Sequence, residues 1–101
     1  MAHTHFNHPG IVLRDLYLAE SDLTQTQLAR GTGIPQSRVS ELCSGKRDIN
    51  ADIALRLGKF FGIDPRTWMN MQAHYDIEET AAAQRAAKVV IHRHKFKLAA
   101  A

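Results

Sequence analysis

A single cysteine, Cys43, stands in 101 residues. It cannot form an internal disulfide, and nothing suggests a Cys-based zinc site. No apolar run approaches the roughly 18 residues needed to cross a membrane, and no charged-then-apolar leader opens the chain. A cytoplasmic protein without membrane contact is therefore expected. No stretch alternates polar and apolar residues like a strand, and no segment repeats. No Gly-rich phosphate loop follows a strand, and Cys43 and Ser44 have no histidine nearby in sequence to serve as base. An enzyme would lack its parts, and no cofactor is expected. Histidines cluster at His3, His5 and His8, but no acid or cysteine completes a ligand set, so they read as a solvated terminus rather than a metal site.

Acidic residues are absent from positions 80–101, which carry Arg85, Lys88, Arg93, Lys95 and Lys97, a balance of +5. Positions 1–79 hold eight Lys/Arg against ten Asp/Glu, a balance of −2. The body is thus no generally basic nucleic-acid binder. Any phosphate contact there needs a local cluster, and Arg38, Lys46 and Arg47 are the candidates.

What is present is helical punctuation. Residues 1–8 show no periodicity and are expected to form a flexible arm. Pro9 suits the first turn of a helix running to about Ala19, with Ile11, Val12, Leu13, Leu16, Tyr17 and Leu18 as a broad apolar face. Glu20-Ser21-Asp22 reads as a break. Thr24 with Gln27 forms a capping box for a second helix that ends at Gly31-Thr32-Gly33. Pro35 opens a third, ending near Ser44-Gly45. Asn50 caps a fourth, Ala51 to Phe61, with Gly62 as its stop. Asp64-Pro65 starts a fifth that reaches Asp76–Glu79. Its Trp68, Met71, Gln72 and Tyr75 share one face, as core or in part as a dimer seam. The alanine-rich stretch 77–91 can continue as helix. Cys43 reads as a small buried hydrophobe.

The run Gln25–Ser44 organises the rest. Leu28, Ala29, Gly33, Ile34, Val39 and Leu42 fall at helix-turn-helix spacing, two short helices crossing steeply about a tight turn. Gly33 fits a turn position with positive φ. Val39 and Leu42, three apart, share an inward face. Gln36, Ser37, Arg38, Ser40 and Glu41 are left outward, where such side chains can bond base edges and phosphates. The plainer alternative is a helical hairpin with a solvated polar face. Lys46-Arg47 serves either as a dipole-matched helix exit or as a phosphate clamp, or both. The basic tail is a solvated end, a nucleic-acid contact or a contact for an acidic protein.

The domain plan is then a flexible arm over 1–8, a helix-turn-helix domain over 9–79, a basic extension that can be helical over 80–96, and residues 97–101 read as vector-encoded. The fold class is all-α, five helices joined by short loops, with a C-terminal helical extension.

His8-Pro9-Gly10, the motif from Gln25 to Gly45, Gly45-Lys46-Arg47, Ala54-Leu55-Arg56-Leu57 and Trp68–Asp76 together resemble the HigA-type antitoxins of the Xre, lambda-repressor-like group. The resemblance covers about residues 8–78. Thr67 replaces the usual aromatic before Trp68, and Met69 and Met71 replace leucines. The resemblance implies a homodimer that binds a palindromic operator in its own promoter. It also implies an antitoxin that neutralises a HigB-type, RelE-like mRNA-cleaving toxin. Gln36, Ser37 and Glu41 match base-reading positions of the group. Gln25 matches the residue that contacts phosphate and braces Gln36. Ser44, Lys46 and Arg47 match the loop that meets the DNA backbone. Arg38 and Ser40 join the set on their outward position alone. A stand-alone Xre-type regulator without a toxin, or a pure protein-interaction module, are the other readings.

Overall fold

The computed structural model describes residues 8–97. Expectations for residues 1–7, His3 and His5 among them, and for 98–101 lie outside the described residues. The fold is all-α: α1 (Pro9–Val12), which runs on as a π-helical stretch (Leu13–Leu18), α2 (Gln25–Thr32), α3 (Gln36–Cys43), α4 (Ala51–Phe61) and α5 (Pro65–Ala86). No described residue lies in a strand.

The local signals act where they stand. Thr24 Oγ1 accepts from the Gln27 N–H at 3.1 Å, and the Thr24 N–H donates back to Gln27 Oε1 at 2.9 Å, a closed capping box on α2. Gly33 ends α2 at φ 75°. Asn50 Oδ1 accepts from the Ile53 N–H at the start of α4, and Asp64 caps α5 through the Arg66 N–H. Pro35 is the cap residue of α3, one place before the helix proper. Leu13, Leu28, Val39, Leu42, Leu57 and Trp68 form the fully buried centre, with Tyr17, Phe60, Phe61 and Met71 packed on it.

Four expectations need correction. The first helix widens to a π-helix, so Leu13 and Leu18, five apart, both reach the core while Leu16 stays exposed. An α-helical reading puts Leu16 on the buried face. The fifth helix continues to Ala86 and stops there, short of Ile91. Lys88 takes φ 56° and the Val89 N–H reaches back to the Gln84 carbonyl, which closes the helix before the β-branched run Val89–Ile91. Residues 89–97 are exposed and non-helical, so only the first part of the extension is helical.

The third correction is His8. It is buried, at 6% exposure, not part of a solvated terminus. Its Nδ1 accepts the Gly10 N–H at 2.9 Å and so caps α1. The fourth concerns Gln72, which is more than one member of an apolar stripe. It is buried, accepts the Ile49 N–H on Oε1 at 2.8 Å and donates to Asp76 at 3.0 Å. The bond to Ile49 ties the loop after α3 to α5.

Candidate nucleic-acid interface

The third helix is fixed from behind. Val39, Leu42 and Cys43 are buried, and Ile34 plugs the turn that precedes them. Burial pushes the Cys43 thiol up, so it stays a neutral, hydrophobic filler, although nearby Arg14 acts in the opposite direction. Gly10 lets α1 pass against the Leu42 carbonyl. With one face held, the other must face solvent: Gln36, Ser37, Arg38 and Ser40 are all exposed. None of these four side chains makes a hydrogen bond or ion pair with a described residue. Their donors and acceptors are therefore available to a ligand.

Glu41 is different. Its carboxylate takes the Arg47 Nε–H at 2.8 Å, and both side chains are half-exposed. This pair occupies an expected base-reading acid and an expected phosphate-binding cation with one another. Lys46 lies in the same loop and has no ion pair with a described residue. Its backbone N–H is bonded to the Glu41 carbonyl at 2.8 Å, so the loop is folded back on the end of α3. The Ser44 hydroxyl donates to that same carbonyl at 3.1 Å. Gln25 sits half-buried at the first position of α2, and no hydrogen bond joins it to Gln36. The expected brace is absent from the free chain.

The exposed ridge and the loop thus form one surface at the outer face and exit of α3. Arg38 and Lys46 are its cations without an ion pair among the described residues. Two residues missed in the sequence support it. Arg56 donates from Nη1 to the Thr32 carbonyl at 2.9 Å and from Nε to Asp52 at 3.1 Å. It thereby holds the end of α2 and the Gly33 turn against α4. The Asp52–Arg56 spacing of four is legible as a helix pair; the reach to Thr32 is not. The other is His8, which bonds Asp48 of the same loop.

Buried on one side and polar on the other, with a left-handed glycine at the turn, this is a helix-turn-helix domain of the lambda-repressor-like class. The helix-turn-helix family matches residues 13–68, which contain both motif helices and the turn. The chain is 37% identical over 84 residues to "Virulence-associated protein I" of Dichelobacter nodosus, covering 83% of this chain and 78% of that one. Among solved structures it is similar to the Pseudomonas aeruginosa antitoxin HigA with the higBA promoter, at 35% identity and TM-score 0.77, over 82% of this chain and 90% of that one. It is also similar to an addiction module antidote protein of the HigA family from Coxiella burnetii, at 36% identity and TM-score 0.76, over 89% of this chain and all of that one. The chain belongs to the Xre-like helix-turn-helix family, among the HigA-type antitoxins. That family is one of DNA-binding regulators and antitoxins, not of enzymes.

Proposed function

We propose that this protein is the antitoxin of a type II toxin–antitoxin pair. On this reading it neutralises a HigB/RelE-like mRNA-cleaving toxin and represses its own operon by binding a palindromic operator as a homodimer. The observation that carries the DNA half is the free polar ridge Gln36-Ser37-Arg38 with Ser40, rigidly backed by Val39 and Leu42. Similarity to a HigA solved with its promoter supports the same half. The toxin half rests on the similarity to HigA-type proteins.

The mechanism divides by chemistry. Arg38, Lys46, Arg47, Ser44 and Gln25 hold phosphates and set register; Gln36, Ser37, Ser40 and Glu41 meet base edges, with Arg38 able to serve both. A twofold pair would present two recognition helices about one DNA turn, ~34 Å, apart, which demands a site of twofold symmetry. Arg47 must exchange Glu41 for phosphate to contribute fully. Lys46 starts without that cost.

Two results follow. Arg38→Ala and Lys46→Ala are each expected to weaken binding to every duplex alike and to shallow the log–log salt dependence by about one unit. A gel shift over a salt series on the DNA upstream of the chain's own gene measures both. Unchanged affinity and slope would remove the residue from the interface. Gln36→Ala is expected to relax preference at one operator position, a loss of about 1–3 kcal/mol of discrimination. Selection from a randomised duplex pool reads it out, and an unaltered preference would count against Gln36 as a reader. For the toxin half, the test is co-expression with the neighbouring gene and purification of the pair. Absence of a small basic RelE-like partner there, with operator binding intact, would leave a stand-alone regulator.

A further inference from the structure

The loop that follows α3 carries two cations and one acid in succession, Lys46, Arg47 and Asp48. An acid beside two phosphate-binding cations is a competitor for them. Its backbone offers little freedom, because the Lys46 N–H is bonded to Glu41 and the Ile49 N–H to Gln72. What remains variable is where the Asp48 carboxylate points.

His8 decides that. Its ring is buried and fixed on three sides. Nδ1 accepts the Gly10 N–H at 2.9 Å, and the ring meets Tyr75 edge-on with centroids 5.0 Å apart. The ring carbon beside Nδ1 also lies near Gly45, where a Cβ would sit 3.9 Å from it. Because Nδ1 accepts, the ring proton of the neutral imidazole is on Nε2. Nε2 donates it to Asp48 Oδ1 at 3.2 Å, across 40 residues of sequence. No described lysine or arginine pairs with Asp48.

We propose that His8 is a positioning residue for the DNA-binding loop: it keeps the Asp48 carboxylate from pairing with Lys46, so that this cation meets phosphate unneutralised. The inference rests on the operator-binding reading above. Freed of His8, the Asp48 carboxylate, two positions from Lys46 in the same loop, competes for it, and phosphate must displace it.

The two ring nitrogens can be tested separately. His8→Asn keeps an acceptor at the Nδ1 position, so the α1 cap is retained, while loss of the ring's edge contact with Tyr75 lowers the melting temperature. It leaves Asp48 free, and operator affinity is expected to fall about three- to tenfold, the worth of one hydrogen bond, with a shallower salt slope. His8→Gln keeps a donor at the Nε2 position and is expected to bind like wild type even where it melts lower. Adding Asp48→Asn to His8→Asn removes the competing charge and is expected to restore affinity. Asp48→Glu, which moves the carboxylate without touching the buried ring, should show the loss should His8→Asn not fold. Affinity that tracks melting temperature across the series, or a double variant no tighter than His8→Asn, would overturn the assignment. Wild type and Arg38→Ala on the same duplex separate the two failures. If wild type binds with a salt slope that Arg38→Ala reduces, the operator reading stands whatever His8 does. If wild type does not bind, both fall.

Discussion

Trp68→Ala is expected to cost about 3–5 kcal/mol, the range for emptying a large buried aromatic site. A domain of this size has roughly 5–15 kcal/mol in all, so the loss takes a large share of it. The ring is fully buried and lies at the meeting point of three elements: its centroid is 4.8 Å from Tyr17 on the first helix and 6.3 Å from Phe61 at the end of α4. Collapse into the void would have to draw the first helix, α4 and α5 together at once, and each is pinned elsewhere. The indole Nε1–H is buried with no hydrogen-bond partner among the described residues. That donor is a cost to the native state, not a contribution. Trp68→Phe, which keeps an aromatic ring and removes the orphan donor, is therefore expected to lose much less than alanine. Urea unfolding at constant m measures both. A midpoint for Trp68→Ala close to wild type would mean that this ring is not the centre of the core.

Most of the fold is legible because its signals are local. A capping box, an Asn cap and a glycine at positive φ each act within four residues, and each stands where spacing places it. The outward set on α3 is legible for the same reason: once Val39 and Leu42 are inside, geometry leaves Gln36, Ser37, Arg38 and Ser40 outside. What escapes a sequence reading is long-range or off-period. His8 finds Asp48 at a separation of 40 residues, and Gln72 finds Ile49 at 23; no pattern announces either. Leu16 is misplaced when a period of 3.6 is applied to a stretch that turns more slowly. Alanine content argues for helix through Ile91, but propensity is weak where nothing packs, and every residue from Ala82 to Lys97 is exposed. The Glu41–Arg47 pair spans six residues across a helix end, a spacing that no helical rule flags.

Gly10→Ala is the substitution in which propensity and packing oppose each other most sharply. Gly10 is within α1, and on helix propensity alone alanine is favoured there by about 1 kcal/mol. Yet a Cβ at Gly10 would overlap the Leu42 carbonyl oxygen and lie 2.6 Å from its carbon. The obstacle is backbone of the recognition helix, not a side chain that can swing aside. The first helix would have to withdraw from α3, taking the His8 cap and the seat of Leu13 with it. The expected outcome is a net loss at or above the usual overpacking cost of about 1–3 kcal/mol, with operator binding reduced further than stability alone explains, because α3 loses the wall behind it. Gly62→Ala is the contrast. Gly62 sits at φ 70°, and a methyl group added there would have nothing within 4 Å, so only backbone strain of about 1–2 kcal/mol applies. It lies at the end of α4, away from α3, and is expected to lower the melting temperature modestly and leave DNA affinity alone. Thermal melts and gel shifts on the pair give the answer. A Gly10→Ala protein as stable as wild type would show that α1 does not press on the recognition helix, and would withdraw the rigid backing on which the whole interface depends.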